Sequence, residues 1–179
     1  QHQVEQLQFR WDRLQVQAKA TLGTDKPMPL KLQASAQSLP TPGAEGVWAT
    51  PWSASVNAEG PLAALALAAQ LRAAAPATMA LDVKAGVKPF APWPLSTLQA
   101  EARDLDLARL ADGLPATRLN GHADIETRGL DQPAHVVLRL ANALAGRWDE
   151  QKLPVAALQI DARARPDAPA QQVELQAFD

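Results

Sequence analysis

Apolar and polar residues alternate along most of this chain. From Leu119 to Arg128 the alternation is unbroken: Leu119, Gly121, Ala123, Ile125 and Thr127 share one face, and Asn120, His122, Asp124, Glu126 and Arg128 share the other. Period two marks an extended strand with one dry and one wet face. The same pattern recurs at Leu14, Val16, Ala18, Ala20 and Leu22, with Gln15, Gln17 and Lys19 opposed. It returns at Leu30 to Ala36, at Leu81 to Ala85 (Met79 lying one step out of phase with Ala80), at Val136 to Leu140, at Leu158 to Ala164 and at Val173 to Ala177. The pattern predicts an all-β chain of about eleven strands, each roughly 7 to 11 residues long.

Two segments compete with that reading. Leu62 to Ala75 has a helix-forming composition, yet Leu65, Leu67, Ala69 and Leu71 alternate and Gly60-Pro61 before them reads as a hairpin turn. It is expected to be a strand. Asp104 to Leu114 ends in Gly113 with Pro115 beyond, a helix stop signal. One short helix of one or two turns is expected there.

Composition sharpens the picture. The chain holds 37 Ala and 25 Leu, good helix formers, but also 15 Pro. A bundle of long helices does not tolerate that density of Pro, whereas short strands separated by turns do. With 17 Lys+Arg against 19 Asp+Glu, there is no basic excess to hold a nucleic-acid backbone. The absence of Cys excludes disulfides, Cys-ligated metal and a thiol nucleophile. No apolar run is long enough for a membrane-spanning helix, and QHQVEQLQFRW at the start lacks the features of a signal peptide. Those features leave either a cytosolic protein or a piece of a longer exported chain.

Internal echoes suggest repetition. PLSTLQAEAR from Pro94 and PVAALQIDAR from Pro154 match at Pro, Leu, Gln, Ala and Arg, and VNAEGPL from Val56 echoes IETRGL from Ile125. Repeat units of about 28–93 and 94–165 within one β fragment (1–179) would stack along an axis into an elongated, mostly antiparallel sheet.

Groups able to do chemistry are sparse. His2, His122 and His135 lack metal-ligand spacing, and the pairs Asp104/Asp106 and Asp124/Glu126 have no nucleophile placed near them. His122, His135 and the two acid pairs read best as solvated face groups, and Arg103 and Arg163 as outward charges that add solubility and discourage edge pairing. The nine Gly lie at scattered turns and form no phosphate loop. Trp11, Trp48, Trp52, Trp93 and Trp148 fall near strand ends or turns, where they would close an open end of the sheet or line a rim for a headgroup or glycan. No catalysis, cofactor or metal is expected.

The dry faces are paved with Ala and Leu and nearly lack aromatics, so they leave volume that a sandwich would fill with large side chains. An acyl chain suits such a lining, gaining about 0.8 kcal/mol per buried CH₂. The candidate lining is Val16, Leu30, Leu32, Val56, Leu65, Leu67, Leu81, Val83, Leu98, Leu119, Ile125, Val136, Leu138, Leu140, Leu158, Ile160, Val173 and Leu175. The alternative is a closed core made by two halves of a clamped sheet.

The runs PFAPWPLSTLQAEARDLDLARLADGLPATRLNGHADIE (89–126) and VVLRLANALAGRWDEQKLPVAALQIDARA (136–164) resemble the TamB family of the AsmA-like group, in the form found in β-proteobacteria. The resemblance is clearest over Gly60 to Arg165, with NALAGRWD and KLPV its most telling parts. It implies a U-shaped apolar trough of β repeats crossing the periplasm, anchored in the inner membrane through a helix outside this segment. It also implies an Omp85-type outer-membrane barrel, TamA, as partner. The function implied is passage of phospholipid between inner and outer membranes, its acyl chains solvated by the trough. The other role it implies is assembly of outer-membrane barrel proteins, with partner strands added to the sheet edge by β-augmentation.

Overall fold

The computed structural model describes residues 2–11, 14–39, 51–75, 77–110, 113–129, 132–164 and 174–175. They form one antiparallel sheet in which each strand pairs with its neighbours in the chain: β1 (His2–Trp11), β2 (Leu14–Leu22), β3 (Pro29–Ser38), β4 (Trp52–Pro61), β5 (Leu65–Ala73), β6 (Ala80–Val87), β7 (Leu95–Leu105), β8 (Leu119–Glu126), β9 (Ala134–Asn142), β10 (Ala157–Ala164) and the two-residue β11 (Glu174–Leu175). The sheet does not close into a barrel. The competing helical composition of 62–75 yields to alternation, as expected. Gly60 takes a positive φ of 126°, and Ala64 N donates to Pro61 O at 2.8 Å, so the chain reverses before Leu65 and the Ala/Leu run must pair with β4.

The helix expected over Asp104 to Leu114 is not formed. The strand runs on to Leu105 through a bulge, in which Asp104 has φ 45° and the register against β8 slips between Ala102 and Leu105. Beyond the strand the chain makes a single 3₁₀ turn, Leu107–Arg109, capped by the Asp106 carboxylate on Ala108 N. A second 3₁₀ turn, Trp148–Glu150, lies in the β9–β10 connection and ends at Gln151, φ 55°. No alternation or cap signal announced it.

These two connections, 106–118 and 143–156, cap the small core of the described residues. They are tied together by Ala116 N to Gln151 O (2.8 Å) and Ala143 N to Arg118 O (3.0 Å), with Ala116 bridging Lys152 in parallel. Over the rim of the sheet, Met79, Leu105 and Leu119 are buried together, and Trp52, Leu71, Leu81, Leu107, Leu110, Leu140 and Leu153 pack around them. Thr117, 1% exposed, satisfies the backbone inside this cap: its hydroxyl donates to Leu105 O (3.0 Å) and accepts from Leu107 N (2.9 Å). Asn142 Oδ1 accepts from Arg118 N (3.0 Å) and Leu144 N (3.2 Å). Buried backbone groups in a loop need such partners, which is why polar residues sit at the centre of an apolar cap.

The interval 28–93 contains β3 to β6 and the interval 94–165 contains β7 to β10, four strands each. The two echoes behave differently in space. Val56 to Leu62 and Ile125 to Leu130 start on β4 and β8, four strands apart and running the same way, and Gly60 and Gly129 both have positive φ (126° and 135°). PLSTLQAEAR and PVAALQIDAR end on β7 and β10, which run in opposite directions. No translation along the sheet superposes that pair.

Candidate functional site

Strand registers convert the alternation of single strands into continuous rows running across the sheet. One row passes from Val16 through Ala36, Ala54, Leu71, Leu81, Ala102, Gly121 and Leu140 to Leu158. The next passes from Ala18 through Ala34, Val56, Ala69, Val83, Ala100, Ala123 and Leu138 to Ile160. The third runs from Ala20 through Leu32, Ala58, Leu67, Ala85, Leu98, Ile125 and Val136 to Ala162. From β2 to β10, every position of all three rows is Ala, Gly, Val, Leu or Ile. With strands about 4.8 Å apart, each row is roughly 38 Å long.

The opposite face is wet in the same continuous way. Its central row is Gln8, Gln17, Ser35, Ser55, Gln70, Asp82, Glu101, His122, Arg139 and Gln159. Arg103 lies on this face, exposed and paired with Glu101 at 3.0 Å, and Arg163 is exposed there too.

Every described member of the expected lining falls on the dry face. Val16, Leu81, Leu140 and Leu158 belong to the first row, and Val56, Val83, Leu138 and Ile160 to the second. Leu32, Leu67, Leu98, Ile125, Val136 and Leu175 belong to the third, which continues from Ala162 to β11. Leu30 and Leu65 lie one step further toward the rim away from the cap, and Leu119 lies at the cap. Val173 is outside the described residues.

Three of these are core residues. Leu119 is buried in the cap, and Leu81 and Leu140 pack against it. Among the described residues, no second layer covers the remainder of the face. Only six apolar residues among those described are buried, and most lining residues are half-exposed, Val56 to 39%. Among the described residues, no second half of the sheet folds back to close a core over this face. The cap is built from the β7–β8 and β9–β10 connections, which bring Leu107, Leu110 and Leu153 over the rim.

Other expectations need correction. Asp104 and Asp106 are structural and not solvated face charges. Asp104 accepts from Thr78 Oγ1 (2.6 Å) and, more weakly, from Asn120 Nδ2 (3.4 Å), and these hydrogen bonds hold its carboxyl below the ordinary carboxylate range. Asp106 caps the 3₁₀ turn and pairs with Arg109 at 3.0 Å. His135 is half-exposed but not merely solvated, since its Nε2 lies 3.0 Å from Asp161 Oδ1 across the β9–β10 pair. His122 stands on the wet face between Glu101 and Arg139, with Asp124 beside it and Glu126 exposed further along β8. His2 lies in β1. Of the tryptophans, Trp52 packs into the cap, whereas Trp93 and Trp148 are 37% and 66% exposed. Trp48 and the Trp11 side chain are outside what is described.

A depression of about 530 Å³ on the wet face is lined by Asp82, Lys84, Gln99, Glu101, His122 and Asp124 with small neighbours. Its lining includes no Ser, Thr or Cys, and of the pair Asp124/Glu126 only Asp124 reaches it. Among the described residues no group of acidic or His side chains could hold a metal, and no helix is long and apolar enough to cross a membrane.

Fold and site together define an open, single-layer antiparallel meander with one continuous apolar face. No family model, curated protein or solved structure matches the chain.

Proposed function

We propose that this chain is a lipid-conducting segment of a bridge that carries phospholipid between two membranes. The observation that carries the reading is the set of three uncharged rows running across the strands, of which only the first passes under the cap among the described residues. An acyl chain lying along a row passes from strand to strand without meeting a charge or an unpaired backbone group. The backbone groups of the sheet interior are spent in the ladders, so the surface offered is apolar side chain alone. The chemistry is solvation: acyl chains rest on Ala, Val and Leu, and headgroups stay in water. The resemblance to the TamB family supports the same reading. Under it, the path crosses the periplasm and the full-length protein has an outer-membrane barrel partner.

Photo-crosslinking tests it. A photoreactive residue is placed singly at Val83, Lys84, Leu138 and Arg139, and adducts are sought after incubation with phospholipid vesicles. Val83 and Leu138 lie on the dry face away from the cap, and Lys84 and Arg139 lie on the wet face. Phospholipid adducts at 83 and 138 alone are expected. Adducts at none, or equally at all four, overturn the reading. If the same placements in cells capture polypeptide at 83 and 138 and no lipid, the reading passes to shelter of barrel strands during assembly.

A further inference from the structure

We infer that the wet face of the sheet holds a second binding site, a shallow groove across β2 to β7 that takes a neutral glycan chain. Three depressions adjoin on this face. One of about 310 Å³ lies across β2 to β5, between Gln17, Ser35, Ser55 and Gln70. One of about 460 Å³ lies next to it across β4 to β7, where Asn57 and Ala68 stand two residues from Ser55 and Gln70. The third is the depression of about 530 Å³ over β6 to β8, which shares Lys84 and Gln99 with the second. From β2 to β7 the groove runs for roughly 24 Å across the strands.

What sets the groove apart is the absence of free charge at its β2–β5 end. Exposed faces ordinarily carry Lys, Glu, Asp and Arg. Here the central row reads Gln17, Ser35, Ser55 and Gln70 before it reaches Asp82, and the row beside it reads Gln15, Gln37 and Ser53 before Arg72. The Arg72 guanidinium is committed to Leu71 O, Leu81 O and Asp82. Gln37 Nε2 donates to Gln15 Oε1 at 3.0 Å, while the side chains of Gln17, Ser35, Ser55 and Gln70 have no partner among the described residues. Amides and hydroxyls both donate and accept, so they suit a ligand whose every hydroxyl does the same. An anion finds no uncommitted cation in these two rows, and an apolar chain finds no side chain larger than Ala among the apolar residues of that depression. Strands about 4.8 Å apart repeat the polar groups at close to the length of one sugar ring. Ala66, Ala68 and Gly86 keep the floor low where the groove crosses β5 and β6. No aromatic ring lines the three depressions, so hydrogen bonds alone set the affinity, of order 1 mM.

NMR titration of the chain with chitohexaose and with cellohexaose tests the inference. Saturable shifts are expected at the side-chain amides of Gln17 and Gln70, with half-saturation near about 1 mM, and none at the methyls of Val83 and Leu138 on the dry face. Ser35→Glu/Ser55→Glu sets two carboxylates in the groove, and Gln17→Ala/Gln70→Ala removes two amides. Each pair should weaken binding about fivefold or more, read at the backbone amides of β3 and β4, with far-UV circular dichroism confirming that the sheet is retained. A sulfated heparin hexasaccharide should leave these residues unmoved. Absence of saturable shifts with either neutral hexasaccharide up to about 5 mM overturns the inference. So do shifts that persist in both double variants with the sheet intact, or equal shifts from the heparin hexasaccharide. Shifts at Gln17 and Gln70 from an unfolded polypeptide and from neither glycan would give the groove to a peptide partner and overturn it as well. None of these readouts involves lipid, so failure here is separable from failure of the proposed function.

Discussion

Asp106 accepts the backbone N–H of Thr117 at 3.1 Å, eleven residues further on, with the same Oδ1 oxygen that caps Ala108 N at 3.2 Å. One carboxylate thus starts the 3₁₀ turn and fastens the end of the loop that contains it. Thr117 returns the contact from inside, through Leu105 O and Leu107 N. Replacing Thr117 with Val keeps the volume but leaves two buried backbone groups without partners, at about 1–3 kcal/mol each before relaxation. Thr117→Val should therefore lower the urea midpoint more than any conservative change on the open face, with Asp106→Ala costing about 0.5–2 kcal/mol.

Core and open face should answer truncation differently. Leu105 is 8% exposed within the cap, so Leu105→Ala should cost about 2–4 kcal/mol. Val83 lies on the uncovered face, and Val83→Ala should cost less than about 1 kcal/mol. Comparable losses by chemical denaturation would show that a layer covers the face in solution.

Trp52 lies in the cap with its indole Nε1 buried and without a hydrogen-bond partner. A buried unpaired donor carries a desolvation cost that Phe avoids while keeping most of the ring contact. Trp52→Phe should therefore change stability by less than about 1 kcal/mol, and Trp52→Ala should cost about 2–4 kcal/mol. Thermal denaturation of the two variants checks the contrast.

Asp104 makes acid sensitivity local. The Thr78 hydroxyl, followed by the Asn120 amide, favours its ionised form, so its folded pKa lies below the unfolded one. Its contribution to stability is present above the unfolded pKa of about 3.9 and is lost as pH falls through the lower folded value. Thr78→Ala should raise the carboxyl resonance midpoint of Asp104 toward the ordinary value in an NMR titration. It should also flatten the fall in stability below about pH 4. An unchanged midpoint would show that the Thr78 contact is not what lowers it.

Gly121 stands in the first apolar row, where an added Cβ would run into the Arg139 carbonyl and Leu140 on β9. The obstacle is backbone in mid-ladder and cannot swing aside. Gly121→Ala should cost about 1–3 kcal/mol and weaken hydrogen-exchange protection in β8 and β9 before β3 and β4.

The alternation of Leu119 to Glu126 and of Leu14 to Leu22 was enough to predict strands and to say which side chains share a face. A period-two pattern with one dry side has no other regular solution, and it held even through the Ala-rich stretch of β5. Membership of the dry face was legible for the same reason. Other features depended on contacts between distant parts of the chain. Alternation says that Val83 and Leu138 avoid water but not that they belong to one row, because register is set by turns such as Pro61–Ala64 and by the bulge at Asp104. Gly113 takes a positive φ of 82°, yet no helix forms before it among the described residues: Leu107 and Leu110 pack half-buried across the rim, in and beside one 3₁₀ turn. Which part of the apolar face would be covered was likewise absent from the pattern: Leu138 and Leu140 look alike in sequence, and only the second lies under the cap. The sequence by itself determined strands, faces and the absence of charge along the dry side, since those depend on neighbours two residues apart. The tertiary structure alone decided the rows and the cap, since those depend on where the chain returns.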